Sequence, residues 1–206
     1  MSVSASPGPA TFSDWLRLRT AGLLAKIGAA GVRRGISPDA VTILGALLVG
    51  VAAVLIGAGH FRLAAGVLIM AMPLDALDGA IARALQRRNR FGALLDSTLD
   101  RFADGLLLLG LIVYFGQRDQ WSAAVTSGLA LIGAYGVSYV RARAEGLGIA
   151  CKDGLFSRLE RTLILIGALL TGWVVPGVVI LALGSNLTAL QRVLLVYRVT
   201  RQDDTP

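Results

Sequence analysis

The sequence predicts an all-α integral membrane protein: six transmembrane helices preceded by an amphipathic juxtamembrane surface helix. Three observations lead there. Hydrophobic residues make up 55% of the 206 and charged residues only 16%, against roughly 25% charged in an ordinary soluble domain. Six windows are apolar over about the 20 residues that a bilayer core demands of a helix. The basic residues, finally, fall almost wholly in alternate connections, as cytoplasmic loops do under the positive-inside rule.

Taken in order, residues 1–11 read as a short Ser/Pro/Gly tail, and MSVSASPGPA has no apolar core of the signal-peptide kind. Residues 12–34 place apolar side chains at helical spacing with Arg17, Arg19 and Lys26 between them, and Ser13 or Asp14 suits the N-cap. Such a segment is expected to lie on the cytoplasmic surface rather than cross the bilayer. The membrane domain is expected over 35–198, with spans at about 39–58, 63–85, 92–116, 121–143, 158–173 and 175–197. Their connections are short and rich in turn formers: GAGHFR at 57–62, QRRNR at 86–90, GQRDQ at 116–120, and Trp173 to Gly177 with its proline. An even number of spans returns the polar tail, 199–206, to the side from which the chain set out.

Of the twenty Lys and Arg, five precede residue 35, five lie from Arg83 to Arg101, five from Arg141 to Arg161 and three from Arg192 onward. Only Arg62 and Arg118 fall at the other surface. Nucleic-acid binding, the other use of so basic a chain, is disfavoured because these residues flank apolar spans and lack interleaved exposed aromatics. Cys151 and His60 are each single, which excludes an internal disulfide and His/Cys metal chemistry.

Asp75, Asp78, Asp96 and Asp100 sit inside two of the expected spans, spaced D-x2-D-G-x2-A-R-x8-G-x3-D-x3-D. Ionised groups in a bilayer are costly and mark function. Carboxylates three or four residues apart share one helix face. Asp75 lies twelve residues before Arg87 and Asp100 twelve after Arg88, so a tight reversal brings both pairs to one depth, roughly 10–18 Å from the loop at about 1.5 Å per residue. Four acids that close cannot all stay ionised without a counter-charge. Oxygen-only ligation points to Mg²⁺ or Mn²⁺, and to two ions rather than one. Structural salt bridges to Arg83, Arg90 and Arg101 are the alternative, but they leave Gly79 and Gly92 without a purpose. A glycine beside the acids lets a ligand approach closely, and Arg83, one turn past Gly79, can reach a phosphate oxygen.

From Asp75 to Asp100 the chain resembles the CDP-alcohol phosphotransferase family at all eight fixed positions of its signature, and the likeness extends over nearly the whole chain. The resemblance implies transfer of a phosphatidyl or phosphoalkyl group from a cytidine diphosphate donor to an alcohol, with release of CMP. It implies that Asp75, Asp78, Asp96 and Asp100 hold the metals and that Asp100 is also the general base. Gly79, Arg83 and Gly92 would line the donor site, and Pro38, Asp39 or Thr42 would contact the cytidine. On their own residues, Ser37-Pro38-Asp39 read as helix-start chemistry. A homodimer is also implied, and small residues in the spans permit one.

A second constellation bears on the acceptor. Arg141 and Arg143 end the fourth span ahead of Glu145, Arg158 and Arg161 open the fifth, and Arg192 lies late in the sixth. Guanidiniums gathered beside metals suit an acceptor that itself carries a phosphate; anchoring at lipid headgroups is their other use. SYVRARAEG, SRLER and Gln191-Arg192 resemble the phosphatidylinositol phosphate synthase branch, although that branch often has Lys where this chain has Arg141. The resemblance implies CDP-diacylglycerol as donor and inositol 1-phosphate as acceptor, and the basic residues of the flanking loops lead us to expect a site in the cytoplasmic membrane that opens to the cytoplasm. Glycerol 3-phosphate is the alternative acceptor. A divalent-cation transporter is the alternative of a different class, since buried aspartates also bind passing ions.

Overall fold

The computed structural model describes residues 12–85, 90–151, 154 and 156–203. The expected tail 1–11, the reversal around 86–89 and the side chains of Ser13 and Asp14 lie outside the described residues. Seven helices follow in order: α1 Phe12–Arg33, α2 Pro38–Gly57, α3 Phe61–Ala84, α4 Arg90–Gly116, α5 Trp121–Gly146, α6 Arg158–Thr171 and α7 Val174–Asp203. Among the described residues the chain is all-α as expected, with one helix at each expected position.

Four of the seven, α2, α3, α5 and α7, are long and apolar enough to cross a membrane. The other two expected spans differ for identifiable reasons. α4 is 27 residues long but carries Arg90, Asp96, Asp100, Arg101 and Asp104, and α6 has only 14 residues, about 21 Å of helix.

Two boundaries depart from expectation. The last reversal falls at Gly172 and Trp173 instead of Trp173 to Gly177: Gly172 closes α6 with φ 80, in the left-handed region that glycine enters without cost. Pro176 is then tolerated in the first turn of α7, where no helical partner is lost. At the other end α7 continues to Asp203, past the limit expected near 197, with Arg201 donating to the Tyr197 hydroxyl one turn back.

Packing closes α2 to α7 into a ring. α3 packs on α2, α2 on α4, α4 on α5, α5 on α7, α7 on α6, and α6 returns to α3; α1 lies outside, along α3. The interior is built from small side chains such as Ala52, Ala64, Ala65, Ala130 and Ala134, filled out by Leu68, Leu111 and Phe115. Large apolar residues point outward instead, with Leu47, Val54, Met70, Ile132 and Leu183 all more than 60% exposed. That inversion suits a hydrocarbon solvent, in which close backbone approach rather than burial of bulky side chains holds helices together. The protein is an integral membrane protein.

Gly110 shows how tight the approach is: a Cβ there would stand 2.5 Å from the Ala53 carbonyl oxygen of α2. We therefore expect Gly110→Leu to lower the thermal unfolding midpoint in detergent strongly, overpacking costing typically 1–3 kcal/mol or more. Gly128→Ala, where nothing lies within 4 Å, should not lower it, since alanine is the better helix former.

Candidate active site

Three helices of the ring converge on one polar centre. α3 contributes Asp75 and Asp78, α4 contributes Asp96, Asp100 and Asp104 along one stripe at intervals of four, and α6 contributes Arg158 and Arg161 from its first turn. Side-chain oxygens of Asp75, Asp96 and Asp100 lie within 4.8 Å of one another. A cluster of hard oxygen donors without His or Cys fits a hard divalent cation.

Arg158 supplies positive charge to that cluster. Its Nη1 lies 2.8 Å from Asp75 Oδ1 and 2.6 Å from Asp100 Oδ1, and its Nε lies at ion-pair distance, 3.9 Å, from Asp104. Because Arg158 opens α6, the partial positive charge of that helix N-terminus faces the same acids.

Asp78 is placed differently from the other three signature acids. It is buried on α3, where Thr42 Oγ1 donates to its Oδ2 at 2.7 Å and the Gly79 amide donates to its Oδ1 at 2.5 Å. Thr42 belongs to the α2 start that the sequence singled out. Its hydroxyl is also 3.1 Å from the Pro38 carbonyl, and Pro38 and Asp39 open that helix behind Ser37. Thr42 therefore ties the expected cytidine-side segment to the acid cluster. Arg83 folds back over its own helix, its Nη1 lying 3.2 Å from where a Cβ on Gly79 would stand. Gly92 lies half-buried near the start of α4.

The five arginines do not play one part. Arg141 is exposed and paired with Glu145 one turn on, at 2.9 Å. Arg143 is exposed and has no ion-pair partner among the described residues. Arg192 is buried and donates to the Val137 carbonyl at 2.8 Å, tying α7 to α5, within electrostatic reach of Arg141 and Arg161. Arg161 is buried too, and turns inward: its Nη2 donates to Asp104 Oδ2 at 2.5 Å and its Nη1 to the Phe156 carbonyl at 3.3 Å. Removing one partner of such a buried pair costs about 3–5 kcal/mol.

Sequence reasoning passed over Asp104. Its signal was present, because Asp104 continues the interval of four from Asp96 and Asp100, but nothing local announces a partner 57 residues away. Pro73, inside α3 two residues before Asp75, was missed as well; it removes one helical hydrogen bond just ahead of the acids.

The sequence matches the CDP-alcohol phosphatidyltransferase family over residues 35–197. The chain is 36% identical to a phosphatidylinositol phosphate synthase of Streptomyces avermitilis, with 96% of this chain and 87% of that one covered. It is 34% identical to an archaetidylinositol phosphate synthase of Methanothermobacter thermautotrophicus, covering 81% and 86%. Among solved structures, the phosphatidylinositol phosphate synthase of Mycobacterium tuberculosis with CDP-diacylglycerol bound superposes with a TM-score of 0.77 at 32% identity, covering 84% of this chain and 93% of that one. The same synthase has been solved in complex with manganese and citrate. Related in sequence and in fold over most of its length, the chain belongs to the CDP-alcohol phosphatidyltransferase family.

Proposed function

We propose that this protein transfers the phosphatidyl group of CDP-diacylglycerol to inositol 1-phosphate, yielding phosphatidylinositol phosphate and CMP. The observation that carries the proposal is the meeting of Arg158 with Asp75 and Asp100. A cationic segment suited to a phosphorylated acceptor is thereby joined to the carboxylates suited to a pyrophosphate donor and its metals. The synthases among the relatives support the same acceptor.

In this reading the acceptor hydroxyl oxygen bonds to the lipid-bearing phosphorus, the pyrophosphate P–O bond to CMP breaks, and CMP leaves with the bonding electrons. The hydroxyl proton passes to a carboxylate oxygen of Asp100. Two divalent cations, Mg²⁺ or Mn²⁺, held by Asp75, Asp78, Asp96 and Asp100, would neutralise charge building on the phosphoryl oxygens. Gly79, Arg83 and Gly92 line the cytidine diphosphate, with Thr42, Pro38 and Asp39 beside the base. Arg158 meets the acceptor phosphate, and Arg141, Arg143 and Arg192 supply the surrounding positive field. A cation transporter would need neither this arginine set nor the fixed offsets of Gly79, Arg83 and Gly92.

We place the site in a membrane domain over 35–198 with six spans, α4 and α6 included, the half-buried Asp96, Asp100 and Asp104 of α4 belonging to the polar centre and not to a lipid-facing surface. The cytoplasmic opening is supported by the basic residues of the sequence, eighteen of which fall on one side if the six spans alternate. A homodimer is part of the proposal, the exposed apolar faces providing ample surface.

CMP release by the purified protein with CDP-diacylglycerol and Mg²⁺ should be fastest with inositol 1-phosphate; a faster rate with glycerol 3-phosphate would reassign the acceptor, and activity with free inositol alone would remove the phosphate-binding role. Asp96→Asn should lower turnover at least about 100-fold while the protein still folds. Chelation of divalent ions should abolish CMP release and added Mg²⁺ or Mn²⁺ restore it, whereas residual full-rate turnover in chelator would contradict the metal assignment.

A further inference from the structure

Beneath the acids, the α4 stripe continues to Asp104, which takes no part in the reaction as proposed. Asp104 is nevertheless the most buried acid facing α6: its side chain is 14% exposed and that of Arg161 is 8%, against 30% for Arg158 and 54% for Asp75. α4 and α6 are not among the closely packed helix pairs of the ring. The two arginines therefore reach α4 across the ring interior, and the Asp104–Arg161 pair is the enclosed end of that bridge.

What the pair holds in place is the start of α6. Arg161 Nη1 donates back to the Phe156 carbonyl, just ahead of the helix, and the Phe156 amide donates in turn to Thr188 Oγ1 of α7 at 3.2 Å. Ser157 Oγ donates to the Glu160 carboxylate across the same turn, closing the N-terminal turn on itself. Arg158, three residues before Arg161, leaves this anchored turn and runs to Asp100 and Asp75. Arg161 Nε and Ser185 Oγ, both buried and with no hydrogen-bond partner among the described residues, line one cavity of about 20 Å³ with Asp104, room for about one water between them. A buried ion pair adds little net stability relative to apolar packing, because desolvation offsets its attraction. Its value lies in fixing a geometry.

We propose that Asp104 is a positioning residue: through its buried pair with Arg161 it fixes the first turn of α6 and so aims Arg158 at the phosphate of the acceptor. This rests on the reading of Arg158 given above. Arg161 on this account does not touch the acceptor.

The test is steady-state kinetics of the full-length protein in detergent. Asp104→Asn should raise KM for inositol 1-phosphate about tenfold or more, leaving KM for CDP-diacylglycerol and the half-saturating Mn²⁺ concentration within about twofold. A fall in acceptor KM would mean that Arg161, once released, binds the acceptor directly, and would overturn the proposal. A shift in the Mn²⁺ requirement would make Asp104 a metal ligand, which overturns it equally; so would unchanged constants with only a lower unfolding midpoint. Asp104→Asn combined with Arg161→Met leaves no lone buried charge and guards against loss of folding. In that background Arg158→Gln should add less than about twofold to acceptor KM, because the effects share one path; independent addition would refute it. If the wild-type protein released CMP with no phosphorylated acceptor, the reading of the reaction would fail instead, separately from the role of Asp104.

Discussion

Everything in this protein depends on keeping several carboxylates together inside an apolar helix ring. Like charges at that spacing repel, and the partial burial of Asp96 and Asp100 beside the exposed Asp75 magnifies the cost. Positive charge has to be delivered to the same point, and the fold does so with Arg158 at the N-terminus of α6. A catalytic divalent cation answers the same demand, which is why a site that holds metal and a site that holds a guanidinium can be one place. The acids are thus poised for a substrate that brings both cations and phosphates.

The ring arrangement explains how such a centre can exist in lipid. Small residues let α2, α3, α4 and α5 approach closely, so the bulky side chains face outward to hydrocarbon and the interior is left for polar groups. α6 is short and enters the ring at its polar end, carrying Arg158 and Arg161 to the depth of the aspartates. A lipid-linked donor would reach this centre from the bilayer and a phosphorylated acceptor from water. The mixture of exposed Arg141 and Arg143 with enclosed Arg161 and Arg192 follows that gradient from solvent to interior.

Much of this was legible in the chain. Periodic apolar windows located every helix, because lipid-facing helices need little beyond length and composition. The spacing of Asp75, Asp96 and Asp100 foretold their convergence, since two helices joined by a short reversal must bring equal depths together. Other features were hidden because they depend on long-range placement. Asp78 has the same spacing as its neighbours, yet Thr42, 36 residues earlier, engages its carboxylate. Arg158 and Arg161 look alike in SRLER, but one turn of helix sends the first to the acids at the site and the second into the interior. The junction of α6 and α7 shifted because Gly172 could adopt a left-handed conformation, a choice that the neighbouring proline had masked.

The central claim is that Asp75, Asp96 and Asp100 form a divalent-metal site within reach of Arg158. Anomalous scattering from crystals grown with Mn²⁺ tests it most directly. The account predicts manganese density among these three carboxylates, with the Arg158 guanidinium displaced from Asp100. Manganese found only elsewhere, with Arg158 still bridging Asp75 and Asp100, would contradict it.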